Sequence, residues 1–129
     1  MLKVELHAHT ADDPEDYIGY TALQLIDRAA ALDYDALAIT LHNKKLDAEP
    51  IRSDAGKRDL VLTAGVEREM QGKHVLLITF SSRAVRVETF EDIAALKRDE
   101  PVGLVVALPS LLPDRELSSD RDGQLRWSL

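Results

Sequence analysis

Val4-Glu5-Leu6-His7-Ala8-His9-Thr10 (VELHAHT) is the stretch on which the reading of the fold turns. From Leu2 to Leu6, apolar and polar residues alternate with the period of a strand. The stretch then ends in two imidazoles one residue apart. In extended backbone, residues i and i+2 point to the same side, so His7 and His9 are placed to chelate one ion or to reach towards two. The segment His7–Gly19 adds Asp12, Asp13, Glu15 and Asp16. A strand that delivers imidazoles into a carboxylate-rich loop offers the donor chemistry that Zn, Mn and Fe use.

Outward from this strand, helix and strand signals alternate. Thr21 with Gln24 forms a capping box. Ala22, Leu25, Ile26 and Ala29 follow at the spacing of an amphipathic helix, predicted over Thr21–Leu32. Asp35–Thr40 (DALAIT) predicts a second strand, running out at Leu41, His42 and Asn43. A helix is expected over about 48–57, with Pro50 tolerated near its start. Leu60–Thr63 predicts a third strand, ending in Ala64–Glu67, and a hairpin step at Gln71–Gly72 leads to a fourth at His74–Phe80. Thr89 is an N-cap for a helix to about Lys97 with Phe90, Ile93 and Ala94 on its apolar side, and Pro101–Ala107 predicts a fifth strand. The order β-α-β-α-β-β-α-β with near-continuous apolar strands implies a parallel-rich sheet covered by helices. Ligand sites in such sheets lie at the carboxyl ends of the strands.

Composition narrows the function classes. The chain has 129 residues, 45% hydrophobic and 30% charged, which suits one small domain. No apolar run approaches about 18 residues and no basic-then-apolar leader opens the sequence, so no membrane partner and a cytoplasmic location are expected. There is no cysteine, which excludes disulfides and thiolate metal sites. A net charge of −7 argues against extended nucleic-acid binding, which needs basic stripes. Bound divalent cations would offset part of that charge.

The chain's four histidines are His7, His9, His42 and His74. Each alone has an ordinary reading as a surface or satisfied polar residue, and the acidic loop alone reads as a solvated turn. Together they form a pattern, because every histidine falls at a predicted strand boundary and none on a helix. Glu67 also follows a predicted strand and could bridge ions with its two oxygens. Two or three adjacent ions activate a water and stabilise the attacking and leaving oxygens at phosphorus. Arg68 and Lys73 read as solvated surface charges or, less readily, as holders of a substrate phosphate.

Three motifs stand in order: Leu6-His7-Ala8-His9-Thr10, Ala38-Ile39-Thr40-Leu41-His42-Asn43, and Gly65-Val66-Glu67 followed by Gly72-Lys73-His74-Val75. With them the chain resembles the PHP domain, the polymerase and histidinol phosphatase superfamily, from Leu2 to about Ala107. The resemblance implies an incomplete, distorted (β/α)7 TIM-like barrel, an α/β fold with about five strands present, mostly parallel. It also implies two or three divalent ions (Mn, Zn or Fe) at the carboxyl rim of a complete domain, and hydrolysis of a phosphate ester by a metal-activated water. Carried over by position, it implies His7, His9, Asp16, His42, Glu67 and His74 as metal ligands, with Glu15 and Asp13 behind Asp16 as the loop acid. Glu67 and His42 would be the catalytic pair, acting on a small-molecule phosphate ester or nucleotide.

The chain departs from the family pattern in two places. Leu41 stands where the second motif commonly has aspartate. Barrels of this kind need about 200 residues or more to close, and the family's later ligands, a His-Pro after the fifth strand and an Asp-x-His near the end, have no counterpart. No histidine follows His74, and the fifth strand runs into Ala107-Leu108-Pro109-Ser110. The expected division is a partial PHP domain over 1–107 and an irregular tail over 108–129. That tail reads as a disordered terminus or as an out-of-frame product. Codons for Pro109-Ser110-Leu111-Leu112-Pro113 can spell His-Pro-Phe-Phe-Pro when started one base later. A five-stranded sheet leaves an open edge, so a marginal monomer or self-association through that edge is expected. The competing readings are a truncated, non-catalytic remnant that binds metal weakly or not at all, and an interaction module.

Overall fold

A computed structural model of the chain describes residues 1–109, 117–119 and 125–127. Strands β1 (Val4–Ala8), β2 (Ala36–His42), β3 (Val61–Met70), β4 (Lys73–Ile78) and β5 (Leu104–Ala107) form one sheet in chain order. Helices α1 (Ala22–Ala31), α2 (Glu49–Lys57) and α3 (Phe90–Asp99) alternate with them, and a short 3₁₀ turn, Ser82–Val85, precedes α3. The β1–β2 and β2–β3 pairings are parallel, and β3–β4 and β4–β5 are antiparallel. So β1, β2, β3 and β5 share one direction and β4 alone is reversed. The sheet curls into a half-barrel of mixed α/β type. Two further strands, β6 (Leu117–Ser119) and β7 (Leu125–Trp127), pair antiparallel with each other. The rest of the tail expected over 108–129, including the Ser110–Pro113 segment, lies outside the described residues.

Local chemistry accounts for the elements. The Thr21 hydroxyl accepts from the Gln24 N–H at 3.2 Å while Gln24 Oε1 accepts from the Thr21 N–H at 2.8 Å, closing the capping box of α1. The helix then buries Ala22, Leu25, Ile26 and Ala29, the residues its spacing selects. Thr89 and Asp92 make the same box for α3. The buried residues of α3 are Ile93 and Leu96 rather than Phe90 and Ala94. Phe90 is the first helical residue and stays 39% exposed, because the helix meets the sheet only from its second turn. Gln71 (φ 50°) and Gly72 (φ 82°) form the two-residue turn between β3 and β4. Positive φ at both positions gives the backbone twist that antiparallel strands need.

Register assigns the faces. Leu37, Ile39 and Leu41 pack outward with Ala8 against α1 and Ala55 of α2. Val66, Met70, Val75 and Leu77 pack outward with Ile93 and Leu96 of α3. Each large aliphatic side chain so buried contributes roughly 1.5–3 kcal/mol. The inner face holds Ala38, Leu76 and Ile78, with Leu6, Val106 and Leu108 half-buried beside them. Gly65 sits in the middle of this face. A Cβ there would meet the Leu77 carbonyl oxygen and Thr40 Cγ2 at 2.9 Å, so only glycine lets β2, β3 and β4 close up beneath the rim.

Candidate metal centre

β1 does not follow simple alternation. Glu5 pairs with Leu37 and Ala8 with Ile39, so β1 spends three steps where β2 spends two. This is a β-bulge, a device that re-aims side chains next to sites. Glu5 and Ala8 share the outer face, and the extra step between them puts His7 and His9 together on the inner one. The His7 and His9 Nε2 atoms lie 3.1 Å apart.

β2 ends at His42, which is opposite Glu67 on the parallel neighbour β3. Glu67 does not follow its strand, as the apolar run Leu60–Thr63 suggested, but lies within it. Pairing with β2 on one side and β4 on the other carries β3 through its polar residues to the hairpin. Glu67 faces Leu76 across β4, which places His74 diagonally beside it on the same inner face. The reversed strand therefore returns His74 to the rim.

Glu67 is the hub. It is 5% exposed, and Oε1 lies 2.7 Å from His7 Nε2 and 3.0 Å from His9 Nε2. Oε2 lies 2.9 Å from His74 Nδ1 and 3.3 Å from His42 Nε2. A second carboxylate, Asp13, stands behind the imidazoles with its side chain fully buried. Its Oδ2 contacts His9 Nδ1 at 2.6 Å and accepts the His42 N–H at 3.0 Å. Its Oδ1 accepts the N–H groups of Glu15 and Asp16. Asp16 itself is 3.5 Å from His42 Nδ1 and its side chain is 43% exposed. All six sequence-derived positions thus meet at one rim, with His74 and Asp16 at its wet margin. Asp13, ranked behind Asp16 in the sequence, is the acid at the centre. The signal for it was Asp13-Pro14, since aspartate before proline starts a turn by accepting N–H groups two and three residues on.

Two further residues, Leu41 and Arg68, differ from their sequence reading, and Lys73 keeps its reading as a surface charge. Leu41, at the family's aspartate position, is wholly buried in the core against α1 and α2, on the face away from the histidines. Arg68 lies on the outer face next to Glu67, because neighbours in a strand alternate. Its guanidinium donates to Asn43 Oδ1 at 2.9 Å and to the Val87 carbonyl at 2.6 Å, so it clamps two loops and neither floats in solvent nor points to the rim. Lys73 is exposed.

Burial works against the charges of this cluster, and the contacts outweigh it. Burial raises the Glu67 carboxyl, but bonds to His42, His7 and His9 hold it well below its ordinary 4.5. Asp13 is likewise held well below 3.8, against its burial, by His9 and by the N–H groups of His42, Asp16 and Glu15. The Glu67 carboxylate, opposed by burial and helped by Asp13, pushes His42 up to about 9. Burial lowers His9, but Glu67 and Asp13 raise it on balance. The carboxylates therefore favour protons on His9 and His42, at nitrogens that a cation would also use. Two Nε2 atoms and one carboxylate oxygen converge within about 3 Å of one another. That donor set fits a divalent ion. His7, His9 and Glu67 form one candidate ligand group, and His9, Asp13, Asp16 and His42 form a second.

No protein-family model and no curated protein matches the chain. Solved structures do. A protein from Bifidobacterium adolescentis proposed to be a metal-dependent phosphoesterase aligns with a TM-score of 0.52 at 19% identity, over 61% of this chain and 28% of that one. An amidohydrolase from Chromobacterium violaceum, with bound sulfate and no metal, aligns with a TM-score of 0.53 at 23% identity, over 74% of this chain and 32% of that one. At these identities the likeness is one of fold. The chain spans about three-tenths of either neighbour's length.

Proposed function

We propose that the chain is the N-terminal part of a PHP-type metal-dependent phosphoesterase, with a catalytic domain beginning in residues 1–107. The observation that carries this reading is the convergence of His7 Nε2, His9 Nε2 and Glu67 Oε1 within 3.1 Å of one another on a buried inner rim. Resemblance at three motifs and fold likeness to a metal-dependent neighbour support it. His7, His9 and Glu67 would hold one ion, His42, Asp13 and Asp16 would hold another, and His74 beside Glu67 would complete the donor set. When bound, divalent ions supply Lewis acidity, lowering the pKa of water and offsetting phosphoryl charge. The protein's own residues do the positioning. Asp13 fixes the His9 ring by accepting at Nδ1, which turns Nε2 to the rim. Glu67 keeps a full negative charge between four imidazoles. His42, raised to about 9 in the metal-free protein, would have to release its proton to solvent in order to hold an ion.

The substrate class proposed is a small phosphate ester or nucleotide, taken up by a complete domain in the cytoplasm. The test is metal content together with turnover. The reading requires two or three Mn²⁺ or Zn²⁺ per chain and Mn²⁺-dependent hydrolysis of a phosphate monoester, both lost in His7→Ala. One ion or none, without turnover, would favour the remnant reading. The open half of the barrel favours that reading, because all the described donors come from β1–β4 and the loop after β1. Sequencing the coding DNA past Ala107 tests whether residues 108–129 are out of frame. A His-Pro in the shifted frame at position 109 is the expected result.

A further inference from the structure

β2 gives way to its loop at His42, and that junction is held from the outer face of the sheet by a residue the proposed chemistry does not use. The ring contacts of His42 are long. Nδ1 lies 3.1 and 3.2 Å from the two Asp13 oxygens, and Nε2 lies 3.3 Å from Glu67 Oε2. His7, His9 and His74 meet the same two carboxylates at 2.6–3.0 Å. The His42 ring is thus seated less by its own contacts than by the backbone that carries it. That backbone turns sharply. Leu41 and Lys44 bridge antiparallel across His42 and Asn43, so the chain reverses within four residues. Asn43, third in the turn, has φ 55°, a conformation that glycine and asparagine adopt most readily. Its N–H donates to the Glu67 carbonyl at 3.0 Å, one step past the pair His42–Glu67.

The Asn43 side chain is taken up by Arg68. The guanidinium donates through Nη1 to Asn43 Oδ1 at 2.9 Å and through Nη2 to the Val87 carbonyl at 2.6 Å. Val87 is buried in the core beneath α3, so Arg68 ties an exposed turn to a packed part of the molecule. Arg68 Nε is buried with no hydrogen-bond partner among the described residues. An unpaired buried donor costs free energy, so the guanidinium is oriented by its two end contacts. We infer that Arg68 is a positioning residue of the rim: by holding Asn43 to the Val87 loop it fixes the turn that seats His42 between Asp13 and Glu67. Asp13 accepts the His42 N–H from the inner side at 3.0 Å, and Arg68 completes the hold from the outer side. The inference rests on the metal-centre reading for its consequence at the ion held by His42, but not for its geometry.

Two measurements on the full chain test this. The His9 and His42 ring centroids are 4.5 Å apart, so NMR of metal-free wild-type protein at one fixed pH should show a nuclear Overhauser contact between these rings. The contact should be lost in Arg68→Met, which keeps the apolar stem but neither donor. It should also be lost in Asn43→Gly, which keeps the positive φ but not the acceptor. Zn²⁺ titration followed at the His7 and His42 ring signals reads the two ions separately. Affinity at His42 should be about tenfold weaker in either variant, the low end for lost supporting contacts. It should be no weaker in the double variant, because both changes remove one shared contact. Affinity at His7 should stay within about twofold of wild type. Absence of the ring contact in wild type would overturn the inference even if Arg68→Met does not fold. So would an Asn43→Gly variant that keeps the ring contact, since the turn would then need only its backbone. Equal weakening at both ions would overturn it too, as a general loosening of the fold. If wild type takes up no Zn²⁺, the metal-centre reading fails, while the ring contact still decides the role of Arg68.

Discussion

The rim and the β5 edge of the same sheet invert the usual arrangement in opposite ways. At the rim, polar groups are buried: Glu67, Asp13, His7 and His9 are all at or below 9% exposure. At the edge, apolar groups are open: Val102 is 83% exposed and Leu104 45%, and no charged residue occurs from Pro101 to Pro109. Buried carboxylates cost free energy unless hydrogen bonds and opposite charge compensate them, and the rim provides that compensation at every oxygen. An uncharged edge strand lacks the lysines and prolines that usually guard against pairing with another chain. The lesson is that the rim gathers donors suited to a cation, while among the described residues β5 is an edge of its sheet with no strand beyond it.

The sharpest way to break this contrast is to remove the hub. Glu67→Gln deletes the charge that both ligand groups share, and metal affinity should fall by more than about 100-fold, beyond the loss seen for supporting residues. Calorimetric titration with Zn²⁺ or Mn²⁺ reads it, and retained affinity would mean that the imidazoles do not act around Glu67. Next in size is Gly65→Ala, which crowds the Leu77 carbonyl oxygen and Thr40 beneath the rim. Overpacking of this kind costs about 1–3 kcal/mol, measurable as a lower urea midpoint with an unchanged slope.

A smaller and diagnostic effect is the pH response. His42 is raised from 6.5 to about 9, so its stabilising contribution is complete below 6.5 and is lost as pH rises through 9. Glu67 is lowered from 4.5, so its contribution is complete above 4.5 and is lost on acidification. Metal-free protein should therefore be most stable between 4.5 and 6.5. In chelator its melting temperature should drop from pH 6.5 to 9, while metal affinity climbs over the same range because ligation releases protons. Both quantities moving in the same direction would contradict a cluster whose carboxylates favour protons on its histidines. The mildest change is expected at the edge. Val105→Lys should shift a concentration-dependent elution volume towards monomer and leave Zn²⁺ affinity within twofold, roughly the tolerance of distant sites. A wild-type chain that elutes as monomer at every concentration would leave the edge without a self-association role.

Much of this was legible in the residues. Capping boxes, apolar spacing and the Gln71–Gly72 turn are local, so α1, the hairpin and the element order follow from the chain itself. The histidines stood out because each closes or opens a strand. Other features depended on neighbours. Nothing in Val61–Met70 says that the strand continues past Thr63, since partners on both sides sustain it. The choice of Asp13 over Asp16 depended on which carboxylate the His42 N–H and His9 ring could reach. The outward turn of Arg68 and Leu41 followed from the parity of strands whose ends the sequence left open.

By itself, then, the sequence determined the donors and the order in which strands present them, because residue chemistry and short-range periodicity are written in consecutive positions. Only the tertiary structure decided that His7 escapes the face of Glu5, that Glu67 lies between four imidazoles, and which acid stands at the centre. Those outcomes belong to register between strands up to sixty residues apart, and register is set by pairing across the sheet rather than by any one segment.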